Sequence, residues 1–391
     1  MPDLLSGGGR DGGGRGKPFG PLRGARGERA PRSVLEAGGA VRIAVIAPLV
    51  TAIAEPQLGG SQALVSDLAV ALTERGHDIV VFAASGSSIP GVTVVDTGID
   101  PAELQPSLYR IDAPEPDPRP AAWAFGRVVE LIRAERFDVV HVHAFDAPAV
   151  GATGALEIPV IHTVHLPPDR AVLRALAEAS TGPRPPAVVT VSAFQRRQWS
   201  AAGVSSTLIP NGVPVPRIPW SARPSGFALF AGRLTREKGP DDAIRIARQA
   251  GVPVVVAGGS YDPGFAGELA AATRGVAGVE LLGSLPRAEL WTLMARAAAL
   301  LCPIHWDEPF GLTAAEAQAA GTPVIGYRRG ALPEVVAEGV TGALVPEGDV
   351  AAAASALRQV AAFDRSECRR HAERHLDLER TVDGYERLSA A

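Results

Sequence analysis

The chain has 391 residues, 46% of them hydrophobic and 20% charged, with a formal net charge of −4. That length favours two domains over one, and that balance belongs to a folded soluble protein. It excludes a general electrostatic footprint for nucleic acid. No unbroken apolar run is long enough to span a bilayer, and two cysteines, Cys302 and Cys368, give no disulfide framework and suit a reducing compartment.

Residues 1–40 differ from everything after them. Gly and Arg dominate Gly7 to Arg32, with almost no β-branched or aromatic residues, so the segment is expected to be disordered. Seven basic residues against four acidic ones give it +3, which leaves −7 for residues 41–391. No apolar stretch follows the basic residues, so it does not read as a secretory signal. A disordered extension or an over-called start is the plain reading; contact with acidic lipid or RNA is the alternative.

Val41 to Pro48 predicts a buried strand, and a polar loop leads to Leu58-Gly59-Gly60-Ser61. Gln62 to Arg75 places Leu64, Val65, Leu68, Ala69 and Leu72 on one helical face, ended by Gly76, and His77 to Ala84 predicts the next strand. Strand, Gly-Gly loop, helix and strand open a nucleotide fold, yet G-x-G-x-x-G is missing, which argues against a dinucleotide enzyme. Pro101 to Pro120 reads as a surface loop, Trp123 to Glu135 as a helix, and Phe137–His143 and Pro159–His165 as strands. Alternating strands and helices predict a parallel sheet covered on both faces. His141, His143, His162 and His165 cluster here, and His141 and His143 share a strand face with Asp146 three residues on. A metal site is one reading, but no recognised ligand spacing is matched; strand-end histidines bonded to backbone are the other.

Val188 to Val191 predicts a short strand, Arg196 and Arg197 read as a solvated helix face, and Ser206 to Ile209 runs into a turn cluster. Pro210-Asn-Gly-Val-Pro214, followed by Pro216, Pro219 and Pro224, marks the best domain boundary. The second half opens with strand Phe227–Ala231, the cation-bearing loop Gly232-Arg-Leu-Thr-Arg-Glu-Lys-Gly239 and a helix from Pro240 to Ala250. Strands over Val252–Gly259 and Val279–Pro286 and a helix over Ala288–Arg296 follow. Ala297 to Cys302 then leads as a strand into His305-Trp-Asp-Glu-Pro-Phe-Gly-Leu-Thr-Ala-Ala-Glu-Ala-Gln-Ala-Ala-Gly-Thr-Pro-Val-Ile-Gly326. Leu312 to Ala320 predicts a helix stopped by Gly321 and Pro323, with a further strand after it. Ligands of such sheets sit beyond the strand C-termini. The N–H groups of Phe310, Gly311 and Leu312 have no partner inside the helix and suit a phosphate or sugar oxygen, and Glu308 and Glu316 would accept hydrogen bonds from sugar hydroxyls. Asp349 to Ala361 is an Ala-rich helix, and Leu378 to Leu388 holds Val382, Tyr385 and Leu388 at helical spacing.

Glu308 and Glu316, with seven residues between them inside Glu-Pro-Phe-Gly-Leu…Glu-Ala…Ala-Gly-Thr-Pro-Val, resemble the E-x7-E signature of family-4 retaining glycosyltransferases, glycosyl transferases group 1. The bare pair is nearly uninformative; the whole string is highly specific. The resemblance covers about residues 41–391. It implies an α/β GT-B fold, two Rossmann-like doubly wound parallel-sheet domains facing a central cleft. The expected boundaries are 41–215 for an acceptor-side domain, completed by a C-terminal helix at 376–391, and 216–375 for a nucleotide-sugar-binding domain.

The resemblance further implies roles. Glu316 would bind the ribose, Arg233 and Lys238 the diphosphate, and Glu308 with Phe310, Gly311 and Leu312 the donor sugar. Gly60 would contact the diphosphate through its backbone, Leu285 in the loop Gly283 to Pro286 would lie against the base, and His165 would bond the sugar or its phosphate. His165, Glu308, Arg233 and Lys238 are the catalytic candidates. The expected reaction moves a hexose from a nucleotide-diphosphate sugar, UDP favoured over GDP, to a small-molecule, glycan or lipid-linked hydroxyl, with retention. No nucleophilic carboxylate is required, because a leaving phosphate oxygen can take the acceptor's proton. No Asp-x-Asp pair occurs in the sequence, so protein cations are expected in place of a metal, and no cofactor is implied besides the donor. A GT-B phosphorylase, a sugar-nucleotide epimerase and a non-catalytic sugar-binding relative are the alternatives. Acceptor contacts are expected in loops 50–60, 85–120 and 165–185. Arg127, Arg133, Arg136, Arg170 and Arg174 are mixed with acids and form no basic amphipathic face, so a cytoplasmic location is expected, with a peripheral membrane role left open.

Overall fold

The computed structural model describes residues 39–57, 59–107, 117–182, 184–260 and 263–390. The Gly/Arg-rich stretch expected to be disordered, but for its last two residues, and Leu58 of the Gly-Gly loop lie outside them. Continuous apolar runs such as Ile43–Ile46 and Val139–Val142 are buried along their whole length, the pattern of strands covered on both faces.

In chain order the first half contains β1 (Arg42–Ile46), α1 (Gly60–Glu74), β2 (Asp78–Ala83), β3 (Thr93–Asp96), α2 (Arg119–Arg133), β4 (Val139–Val142), α3 (Ala147–Thr153), β5 (Val160–Val164), α4 (Arg170–Ala179), β6 (Ala187–Thr190), α5 (Ala193–Ala201) and β7 (Thr207–Leu208). They form a parallel seven-stranded sheet in the order β3-β2-β1-β4-β5-β6-β7. The second half contains β8 (Ala228–Ala231), α6 (Pro240–Ala250), β9 (Val254–Ala257), α7 (Pro263–Thr273), β10 (Val279–Gly283), α8 (Arg287–Arg296), β11 (Ala299–Cys302), α9 (Leu312–Ala319), β12 (Val324–Tyr327), α10 (Leu332–Val335), β13 (Gly342–Val345), α11 (Val350–Arg358) and α12 (Arg365–His375). Its six strands run parallel in the order β10-β9-β8-β11-β12-β13. In both sheets the order reverses beside the first strand, between β1 and β4 and between β8 and β11, where doubly wound sheets open a crevice.

The structure corrects three expectations. The stretch Pro101–Pro120 is not all loop: a 3-10 turn spans Pro101–Ser107 and α2 already starts at Arg119, with residues 108–116 outside those described. Segment 85–120 also contains β3, a short edge strand. Segment 165–185 holds α4, whose Asp169 side chain caps the free N–H groups of Ala171 and Val172 at 2.8 and 3.3 Å.

The last helix, α13 (Leu378–Ser389), packs on the first domain. The hydroxyl of Tyr385 lies 2.7 Å from Oγ1 of Thr163 on β5, and Arg75 of the α1 C-terminus pairs with Asp383 and Glu386 at 2.7 and 2.6 Å. Gly384 allows the approach, since a Cβ there would lie 2.7 Å from Ile209.

The four buried histidines all belong to the first domain. Loss of water pushes His141, His162 and His165 down to about 3, 4 and 4, and His143 lower than its usual value as well. A folded pKa below the unfolded one stabilises the fold above pH 6.5, and this stability is lost as pH falls towards 4. Asp146, raised by burial to about 6, works the other way and is outnumbered. Acidification from pH 6.5 to 4.5 should therefore lower amide protection, measured relative to the intrinsic exchange rate at each pH, in β4 and β5 well before β11 and β12. Equal loss of protection in the two sheets over that range would refute this.

Candidate functional site

Two loops leave the second sheet at its switch point and are locked together. The loop after β8, Gly232–Gly239, ends in a left-handed Gly239 whose missing side chain admits the carbonyl of Pro303; a Cβ there would lie 2.2 Å from that oxygen. The N–H of His305 donates to the carbonyl of Glu237 at 2.8 Å. Lys238 and Glu308 consequently meet as an ion pair, with side chains 17% and 15% exposed. Trp306 Nε1 donates to the same Glu308 oxygen at 2.8 Å, and the Lys238 ammonium stands 4.9 Å from the Trp306 ring centre. Gly232, Lys238, Cys302, Glu308, Gly311 and Thr313 line one pocket. Cys302 is no nucleophile there, since burial raises its thiol to about 12.

Gly311, at φ 101°, turns the chain into α9. The N–H groups of Phe310, Gly311 and Leu312 make no hydrogen bond among the described residues and leave partial positive charge at the start of α9, where Gly311 lines the pocket. Gly60 opens α1 on the other domain, and a Cβ on it would lie 3.2 Å from the Leu312 side chain, so the Gly-Gly loop and the α9 N-terminus face each other. Arg233 is half-buried and pairs with Glu237 at 3.1 Å.

Glu316, expected to share a crevice with Glu308, is anchored at one oxygen by residues of α8. Its Oε1 accepts from Arg287 Nε at 2.9 Å and from Trp291 Nε1 at 3.0 Å. Leu285, half-buried in the loop between β10 and α8, precedes that arginine by two residues. His165 lies apart from the carboxylates: its Nε2 is 3.1 Å from Nδ1 of His143, and no contact among the described residues joins it to Glu308. His141 and His143 turn their rings towards Tyr385, at 5.3 and 5.8 Å, and among the described residues no group of three or more His, Cys, Asp or Glu could hold a metal ion.

Sequence reasoning missed several residues that hold this geometry. Gly330, left-handed at φ 59°, backs Glu308 so closely that a Cβ would stand 2.5 Å from its N and O atoms. Asp307, beside Glu308, accepts from Gln198 of α5 at 3.2 Å, and Glu334 of α10 accepts from the free α5 N–H of Ala193 at 2.8 Å. Asp67 gave a visible signal, as a carboxylate on the apolar face of α1 beside Leu64 and Leu68. Arg287 gave another, as a cation in the first turn of a helix, where the dipole opposes it.

Comparison with known proteins gives the family. Residues 221–374 match the family described as glycosyl transferases group 1, and residues 58–217 match glycosyltransferase family 4. A glycogen synthase of Mycobacterium tuberculosis is 31% identical over 347 residues, 78% of this chain and 82% of that protein. A D-inositol 3-phosphate glycosyltransferase of Mycobacterium bovis is 30% identical over 402 residues, 86% of this chain and 80% of that protein. The crystal structure of Anabaena HepE in complex with UDP-glucose superposes with a TM-score of 0.68 at 18% identity, covering 90% of this chain and 100% of that one. The two switch-point sheets, the E-x7-E string and these relatives agree: the chain belongs to family 4 of the GT-B glycosyltransferases.

Proposed function

We propose that the protein is a retaining, metal-independent hexosyltransferase that takes its sugar from a nucleotide-diphosphate donor, UDP-sugar in preference to GDP-sugar. The observation that carries this reading is the pocket at the second switch point, lined by Lys238, Glu308 and Gly311, with the unpartnered N–H groups of Phe310 to Leu312 at the start of the adjoining α9. A sugar diphosphate carries the matching groups: hydroxyls for the carboxylate, and phosphate oxygens for the cations and the helix end.

In this reading the acceptor hydroxyl enters from the first domain and attacks the anomeric carbon on the face that the diphosphate leaves. The bond from that carbon to phosphate oxygen breaks, the new bond from carbon to acceptor oxygen forms, and the departing phosphate oxygen takes the acceptor's proton. Negative charge grows on the diphosphate, where Lys238, Arg233 and the α9 N-terminus stabilise it as it develops. His165 donates to the sugar from the ring nitrogen that His143 leaves unoccupied, and Gly60 lets the α1 N-terminus approach the phosphates. Leu285 lies against the base. The UDP-glucose held by the structurally similar HepE favours UDP as the base-bearing group.

The test is a donor screen with purified protein, pairing UDP-glucose, GDP-mannose and ADP-glucose with hydroxyl acceptors that include inositol phosphates and glucans. Transfer should require both donor and acceptor, retain the anomeric configuration by NMR, and run undiminished in EDTA. Turnover driven by inorganic phosphate, or donor conversion without any acceptor, would give the site to a phosphorylase or an epimerase instead.

A further inference from the structure

We propose that Arg287 is a positioning residue that makes ribose recognition by Glu316 depend on docking of the first domain. This rests on the reading above, in which Glu316 is the carboxylate for the donor's ribose hydroxyls.

Three side chains form one run across the domain boundary. Asp67 of α1 accepts two parallel hydrogen bonds from the Arg287 guanidinium, at 2.8 Å from Nη1 and 2.7 Å from Nη2. The remaining donor, Nε, reaches Oε1 of Glu316 at 2.9 Å. Exposures of 11% for Arg287, 10% for Asp67 and 8% for Glu316 leave little water to substitute for any partner. The guanidinium also lies 4.7 Å from the ring centre of Trp291, whose Nε1 donates to the same Glu316 oxygen.

The consequence for Glu316 is asymmetric. Two donors fix Oε1 and so fix the rotation of the carboxylate, while Oε2 accepts no hydrogen bond among the described residues. One oxygen is an anchor and the other is left for ligand hydroxyls. The backbone N–H of Arg287 donates as well, to Glu55 Oε2 at 3.0 Å. Two acids of the first domain therefore hold a single residue of the second by both its main chain and its side chain. That explains a cation in the first turn of α8, where the helix dipole alone would disfavour it.

Without Asp67 the guanidinium keeps one carboxylate and regains rotational freedom, so Glu316 loses a fixed anchor. Coupling of this kind is reciprocal: docking improves ribose binding, and a bound nucleotide favours docking. Asp67 acts here without touching the nucleotide.

The experiment uses the full chain, with UDP, GDP and ADP as probes in isothermal titration and UDP-glucose in steady-state kinetics. Asp67→Asn should weaken binding of the nucleoside diphosphate that the wild type prefers by about tenfold, and raise the donor KM by a similar factor with kcat retained. Arg287→Met should give a comparable loss, and the double variant should lose no more than the worse single one, since both remove the same coupling. Loss of the buried pair should lower the unliganded thermal midpoint of Asp67→Asn, so the discriminating readout is the rise in donor KM at retained kcat, which a merely structural role would not produce. Unchanged nucleotide affinity in Asp67→Asn, or losses that simply add, would overturn the proposal while leaving the donor site intact. A wild type that binds none of the three nucleotides would instead remove the donor-site reading, and the coupling with it.

Discussion

Lys238→Ala should lower kcat by about 100-fold or more, because removing one fixed charge-stabilising group from a transition state costs ~3 kcal/mol. In the proposed reaction the loss should fall mainly on kcat, since the diphosphate would gain charge as the bond to the sugar breaks, whereas the ground-state donor would keep Arg233 and the α9 N-terminus. The Lys238–Glu308 contact sharpens the prediction. Glu308 is 15% exposed and keeps its hydrogen bond from Trp306 Nε1 in the variant, so the carboxylate stays in place but loses its counter-charge. Lys238→Arg should recover part of the rate, because it restores charge but not the compact ammonium stacked on Trp306. Steady-state kinetics beside a thermal melt checks both variants. A rate within threefold of wild type would mean that Lys238 serves only Glu308 and not the leaving group.

The largest stability effect is expected at Arg365, far from the chemistry. Its guanidinium is buried against four acceptors: Ser221 O at 2.6 Å, Ala297 O and Ala295 O at 2.7 Å, and Thr322 Oγ1 at 2.9 Å. It ties α12 to the segment before β8, to the α8–β11 junction and to the turn before β12. Burial lowers its pKa from the usual arginine value, yet the four acceptors keep a charged guanidinium the better fit. Arg365→Met fills the volume but strands all four acceptors, which should cost about 3–5 kcal/mol. The second domain's melting transition should fall by roughly 10 °C, read by calorimetry. A shift of a degree or two would show that water replaces the guanidinium.

What the sequence revealed depended on how local the cause was. The stretch from His305 to Gly326 was legible because its turn, its left-handed Gly311 and its helix stop at Gly321 are all specified within a few residues. The two-sheet architecture was legible for a similar reason, since apolar runs and glycine-bounded loops alternate at regular spacing. The Asp67–Arg287 pair was not, because the partners lie 220 residues apart and neither forms a motif. Strand β3 escaped notice because an edge strand of four residues is only half-buried and lacks a continuous apolar run. Helix α4 follows two prolines, which read as loop, although Asp169 carries the capping signal. The anchoring of Glu316 was not legible either, because it comes from α8 and not from α9 itself. Packing against α8 turns one oxygen of Glu316 to Arg287 and Trp291.

The placement of α13 sets the order in which the molecule can be completed. Everything from β8 to α12 emerges from the ribosome between Leu208 and Leu378, while Thr163 and Ile209 wait for Tyr385 and Gly384 to arrive. The earlier-made sheet therefore spends that interval with an unfilled flank, which only the synthesis of α13 closes. A nonsense mutation between α12 and α13 would damage the first-made sheet rather than the domain made just before it.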